Sequence, residues 1–177
     1  MAVTKKYIPQ GIIVAGMDSV ITEHESKKLR RTLGCFATGI AVVTTKYEHT
    51  PPSGMTINSF SSVSLDPPLI LWSLSRNSAR LDIFQKAEYF AINILAEDQL
   101  NLCQHFSSTK SDLFTDIAWQ PSAHGQPLLE AVVASLECRT WKLYEGGDHI
   151  IILGEVLAHQ NQDKPPLISQ KASSPAE

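Results

Sequence analysis

The chain lacks almost all of the short signatures that announce a nucleotide-dependent enzyme or a nucleic-acid binder. No GxGxxG occurs, so a Rossmann dinucleotide turn is absent, and no Walker-type phosphate loop occurs either. Its six histidines are scattered, with no HExxH and no Cys/His cluster at ligand spacing, and no metal is expected. Three cysteines, Cys35, Cys103 and Cys138, lie far apart without a CxxC pair. They give no disulfide framework and fit a reduced, cytoplasmic protein. Ser62 and Ser64 lack the flanking glycines of a nucleophile elbow. A net charge of -3 leaves no basic footprint, which argues against nucleic acid as a partner. No apolar run approaches the ~20 residues that span a bilayer. Residues 11–17, behind Lys5-Lys6, are short for a signal h-region and lack a small-residue cleavage site. No membrane partner is expected.

What is present reads as one folded domain. With 177 residues and 43% hydrophobic content, the chain can bury a substantial core. Residues 1–21 read as a loosely attached arm, 22–168 as the domain, and 169–177 as a disordered tail. Thr22 and Glu25 have capping-box spacing, and Leu29, Leu33 and Phe36 follow at helical spacing. Strands are expected over 38–45, 55–65, 69–75, 89–95, 132–144 and 149–159, with Asp66-Pro67-Pro68 and Glu145-Gly146-Gly147-Asp148 as turns. Short helices are expected around Leu81–Phe84 and over 97–106, where Leu100, Cys103 and Phe106 share a face. Residues 107–123 read as a long irregular excursion. Helices are few, strands follow one another through short turns, and βαβ alternation is missing. This favours a closed or nearly closed antiparallel barrel with helices packed outside it.

The stretch GMTINSFSSVSLDPPLILWSLSRNS, residues 54–78, threads hydroxyls and amides through strand-like sequence. Strand interiors usually carry branched and aromatic side chains, so the substitution calls for a reason. Short hydroxyls and backbone N–H groups suit close approach to a ligand with a phosphate and polar ring edges. Arg76 could contact the phosphate through two N–H groups. The same composition also fits the solvated face of an edge strand. Gly147-Asp148-His149 is the second point of interest. A histidine opening a strand after a tight turn sits at a rim, where Asp148 can fix its tautomer; the glycines alone would also explain a plain turn. Trp72, Trp119 and Trp141 fit core or interface filling, and Cys35 fits a buried, inert thiol.

Taken together and in order, LGCFATGIAVVTT, GMTINSFSSVSLDPPLILWSLSRNS, FAINILAEDQ, HGQPLL and GGDHIIILGEV resemble the flavin reductase-like family. These are short NAD(P)H:flavin oxidoreductases that serve as the reductase component of two-component monooxygenases. The similarity runs from about Leu29 to Pro166. It implies a mainly β fold, an FMN-binding split β-barrel of Greek-key type with flanking helices, working as a homodimer. It implies FMN or FAD as flavin, NADH or NADPH as hydride donor, and an oxygenase component as partner. By the resemblance, Thr38, Gly39, Ile40 and Ala41 meet the flavin ring edge. Thr56, Ile57, Asn58 and Ser59 lie against the ribityl chain and ring, with Ser62 and Val63 beside them. Ser75, Arg76 and Ser78 hold the phosphate, and Gly147, Asp148 and His149 face the nicotinamide side, His149 being the residue placed at the reaction. The family's aromatic-Arg-Gly-aromatic segment after Pro-Leu is replaced here by Ile168-Ser169-Gln170-Lys171. Two rivals use the same strand: a non-catalytic flavin-binding or electron-transfer module, and a flavoprotein that holds FMN tightly.

Overall fold

The computed structural model describes residues 22–169 apart from 48 and 111, and these fall into two compact units, 22–36 and 37–169. The expected arm at 1–21 and tail beyond Ser169 lie outside the described residues. Helix α1, Glu23–Leu33, makes up most of the first unit. The Thr22 hydroxyl accepts the Glu25 N–H at 3.3 Å, and the Glu25 carboxylate accepts the Thr22 N–H at 3.1 Å. Both otherwise orphaned N–H groups are thereby satisfied. Glu23 and Glu25 in the first turn and Arg30 and Arg31 in the last complement the helix dipole. The helix ends at Gly34, whose N–H makes the last helical bond, to the Arg30 carbonyl at 2.9 Å. Phe36 therefore falls beyond the helix, and Cys35, expected to be buried, is exposed just past this cap.

The second unit is mainly β and antiparallel. In chain order it holds β1 (Thr38–Gly39), β2 (Ala41–Thr45), β3 (Ser53–Ile57), β4 (Ser61–Leu65), β5 (Pro68–Ser75), α2 (Leu81–Lys86), β6 (Tyr89–Ile94) and α3 (Leu100–Phe106). Then come β7 (Trp119–Pro121), β8 (Pro127–Leu129), β9 (Ala134–Gly146), β10 (His149–Asn161) and β11 (Ile168–Ser169). Seven strands form one sheet in the order β3-β2-β6-β9-β10-β5-β4. The β9–β10 hairpin is its spine, turning at Gly147, whose φ of 72° is in the left-handed region that glycine tolerates.

Several expected elements differ from those observed. The strand over 38–45 divides at Ile40, which donates to the Leu167 carbonyl at 2.9 Å and accepts the Leu95 N–H at 3.0 Å. Its first half, β1, pairs with β11, so Ser169 belongs to a strand and not to a tail. The strand over 55–65 divides at Asn58-Ser59-Phe60 into β3 and β4, which lie at opposite edges of the sheet. Within the excursion at 107–123, β7 pairs with β8. Helix α3 starts at Leu100, which is exposed, and only Phe106 of its expected face is fully buried.

The barrel expected from sequence is not closed by hydrogen bonds, because β3 and β4 do not pair with each other. A flat sheet of seven strands would set its edges about 29 Å apart at ~4.8 Å per strand. The link from Ile57 to Ser61 can reach only about 14 Å when fully extended. The sheet must curl strongly to bring its edges within that reach. Ser59 ties the link down: its hydroxyl accepts the Ser73 N–H at 3.0 Å and donates to the Ser73 carbonyl at 3.2 Å. One face of the curled sheet encloses Trp72, Phe84, Phe90 and their aliphatic neighbours. The other face of β2 is covered by Phe106, Leu113, Leu129 and Val132, which is why all five residues of β2 are buried.

Candidate functional site

Strand β5 ends at Ser75, directly across from His149, the first residue of β10. Arg76 comes next and binds the turn from three directions. Its backbone N–H donates to the Asp148 carbonyl at 3.0 Å, and its Nε donates to the Gly147 carbonyl at 3.1 Å. Its Nη2 pairs with the Glu145 carboxylate. The end of β5 and the tip of the β9–β10 hairpin are therefore one braced unit. His149, half-buried, places Nδ1 2.8 Å from Asp148 Oδ1. A carboxylate can only accept, so Nδ1 carries a proton and Nε2 is left facing away from Asp148.

Beyond Arg76 the chain turns through hydroxyl-capped peptide groups. Ser75 Oγ accepts the Asn77 N–H at 3.3 Å, and Ser78 Oγ accepts the Arg80 N–H at 3.2 Å. Arg80 reaches away from this turn and donates from Nη2 to the carbonyls of Ser108 (3.0 Å) and Lys110 (2.9 Å). Burial lowers its pKa, the sign expected when a cation loses water.

The other candidates divide into those committed to the fold and those left at the surface. Ala41 pairs with Ile57, and both are buried in the core. Thr56 donates its hydroxyl to the Cys103 carbonyl at 2.7 Å, anchoring α3, and Ser59 is spent on Ser73 as described. Thr38 and Gly39 pair with β11, and a Cβ added at Gly39 would meet no atom within 4 Å. Asn58 and Ser62 are exposed, and Val63 is 49% exposed on the bulged outer strand β4. The structure thus brings Ser75, Arg76, Ser78, Gly147, Asp148 and His149 together. Thr38, Gly39, Ile40, Ala41, Thr56 and Ile57 form a second group on β1 to β3. Asn58 and Ser59 belong to the link that joins the two sheet edges.

Sequence reasoning misses Glu145, whose only signal is its place beside the glycine turn; its pairing with Arg76 depends on β5 lying against β10. It also leaves unexplained why HGQPLL is part of the pattern. Gln126 accepts the Lys46 N–H at 2.9 Å, and Asn93 accepts the Leu129 N–H at 2.8 Å, both as buried polar hubs. Glu137 accepts the Ser122 hydroxyl, the His124 N–H at 2.8 Å and the His124 ring at 3.1 Å. Burial pushes its pKa up, but these hydrogen bonds outweigh it and leave the carboxyl below its ordinary range. The motif therefore holds the β7–β8 hairpin to the sheet. A cavity of ≈ 230 Å³, bordered by Gln120, Val133, Ser135 and Gln160, lies at the end of β9–β10 away from Gly147, and no candidate residue lines it. Among the described residues no three His, Cys, Asp or Glu side chains are grouped to hold a metal, and no helix is long and apolar enough to cross a membrane.

Comparison with known proteins gives consistent matches. The model of the flavin reductase like domain matches residues 33–174. The FMN reductase (NADH) SmoA of Agrobacterium fabrum is 44% identical over 146 residues, covering 81% of this chain and 82% of that protein. The reductase component of the flavin-dependent trigonelline monooxygenase of Acinetobacter baylyi is 41% identical over 79% of this chain, which spans 44% of that longer protein. Among solved structures, the NADH:FAD oxidoreductase SgcE6 of Streptomyces globisporus superposes with a TM-score of 0.80 at 34% identity, covering 90% of this chain and 99% of that one.

Proposed function

We propose, from the premise that the chain belongs to the flavin reductase-like family, that it is an NAD(P)H:flavin oxidoreductase supplying reduced flavin to a separate oxygenase component. The observation that carries this reading is the braced junction of β5 and the hairpin. It sets a phosphate-type donor group, Arg76 with the hydroxyls of Ser75 and Ser78, beside a carboxylate-oriented His149. These residues fit a flavin phosphate by chemistry, since a guanidinium flanked by short hydroxyls suits that anion. Room at Gly39 fits close approach of a planar ring.

In this reading a bound flavin would supply the redox chemistry, accepting hydride from the nicotinamide. Arg76, Ser75 and Ser78 hold the phosphate. Thr38, Gly39, Ile40, Ala41, Thr56, Ile57, Asn58, Ser59, Ser62 and Val63 border the ring and ribityl chain, several of them through backbone because their side chains serve the fold. His149, held by Asp148 behind Gly147, orients the nicotinamide. No strong general acid is required, and the proposed roles of these residues are to bind and to orient.

The finer assignments follow the same reading. The fold is a split barrel of Greek-key type whose domain begins at residue 22 and runs through Ser169 of β11, and it works as a cytoplasmic homodimer. FMN or FAD is taken with NADH or NADPH; the relatives named for NADH support that donor as the first to test. Purified protein should oxidise NADH or NADPH when flavin is supplied, and only slowly without it. A rate at background under saturating flavin would overturn the assignment.

A further inference from the structure

Arg76 is not waiting for an anion; it already has one. Its Nη2 is paired with the Glu145 carboxylate, while its Nε and backbone N–H are bound to the carbonyls of Gly147 and Asp148. These partners differ in kind. The two carbonyls belong to the turn backbone and are fixed by the β9–β10 register, in which Glu145 lies across from Ile150 and Gly146 from His149. Glu145 contributes only a flexible side chain that is 86% exposed, whereas that of Arg76 is 37% exposed. Exposed ion pairs are weak and exchange readily with other anions. A flavin phosphate arriving at Arg76 therefore meets a guanidinium held in place by backbone, with one edge covered by a carboxylate that can swing into water.

We propose that Glu145 is an internal competitor for Arg76: flavin phosphate binds by exchanging with the Glu145 carboxylate, which holds down the affinity for phosphorylated flavins and speeds their release. The proposal rests on the placement of the phosphate at Arg76. It fits an enzyme whose reduced product must leave for another protein, because the departing phosphate is replaced at once by a tethered anion. Between one flavin and the next, the carboxylate also keeps the guanidinium paired. Glu145 is thus a residue that tunes affinity for the phosphate, with no contact to the reacting ring.

The test compares Glu145→Gln, Arg76→Ala and the double variant with the parent, using the full-length protein. Flavin Kd is measured by fluorescence quenching with FMN and with riboflavin, which has no phosphate. Glu145→Gln keeps the shape of an exposed side chain, and a thermal melt checks that the fold is retained. The expected result is an FMN Kd lowered about twofold to fivefold at low salt, the range of an exposed ion pair. The FMN off-rate should fall in stopped flow, riboflavin should be unaffected, and the gain should vanish in the Arg76→Ala background. If Arg76→Ala weakens FMN but Glu145→Gln does not tighten it, the competitor idea fails while the phosphate placement stands. If Arg76→Ala leaves FMN binding unchanged, the phosphate placement itself fails. A gain that persists undiminished without Arg76 would reduce Glu145 to general repulsion and overturn the exchange. Equal gains for FMN and riboflavin would overturn it as well.

Discussion

Gly154 offers a severe test of how the core is packed around the sheet spine. It sits on β10 between Thr140 of β9 and Ile70 of β5, next to a register shift at Leu153. A Cβ there would lie 2.5 Å from Phe90 Cζ, 3.0 Å from Cε1 and 3.3 Å from Cys138 Cβ. Phe90 has nowhere to yield: it is 1% exposed and packs edge-on against Trp72, itself 0% exposed, at a centroid distance of 5.9 Å. Forcing a methyl into a filled core costs about 1–3 kcal/mol, and two ring atoms at or under 3.0 Å place Gly154→Ala in the upper half of that range. In a domain of this size about 2–4 °C of Tm accompanies each kcal/mol, so the melt should fall by about 5–10 °C. Urea denaturation at fixed pH should show the same loss with an unchanged slope. Shortening the ring partner, as Phe90→Leu in the alanine background, should recover part of it, so that the double variant loses less than the sum of the two singles. A single variant within about 0.5 kcal/mol of the parent, or strictly additive effects, would refute the close approach.

Three further outcomes are expected. His149→Ala should lower kcat/KM for the nicotinamide on the order of tenfold, the worth of one modest hydrogen bond, with flavin Kd nearly unchanged; a collapse of flavin affinity with normal nicotinamide kinetics would misplace His149. Ser59→Ala strands the Ser73 N–H and carbonyl, so denaturation should show a loss of about 1–3 kcal/mol from unmaking those two bonds, and an unchanged midpoint would contradict Ser59 as the tie across the sheet edges. Glu137 has a folded pKa lowered below its ordinary value of 4.5, so its contribution is present above that value and is lost as pH falls through the lowered one. Glu137→Gln should therefore be less stable by about 1.5–3 kcal/mol at pH 7, with the gap closing in urea melts below about pH 4.5; a gap constant down to pH 3 would show that the charge contributes nothing.

Features that depend on a few neighbouring residues are legible in the sequence. The Thr22–Glu25 cap, the Asp66-Pro67-Pro68 turn and the glycine turn before His149 are of this kind, and each appears where its residues require. The breaks at Ile40 and at Asn58-Ser59-Phe60 are not legible, because they arise from partners far along the chain: Leu167 and Leu95 for the first, Ser73 for the second. The candidate residues behave alike. Composition and turn chemistry are enough to single out Ser75, Arg76 and Gly147-Asp148-His149. Which backbone groups each hydroxyl serves is invisible at that level: Thr56 and Ser59 reach Cys103 and Ser73, far along the chain, while Ser75 and Ser78 cap their own turn, yet the four look alike in sequence. Glu145 escapes notice for the same reason, its importance residing wholly in a cross-strand partner.

The central position of β9 and β10 in the sheet bears on how the chain can be made. β2, β3 and β6 lie on one side of that hairpin and β4 and β5 on the other, yet all five leave the ribosome before it. Until residue 161 has emerged, the earlier strands have two separate groups of partners and no spine between them. The two-residue turn lets the hairpin form locally and fast. Assembly of the sheet thus waits for the hairpin, and a chain truncated before it should expose the edges of β6 and β5, the strands that most need a neighbour.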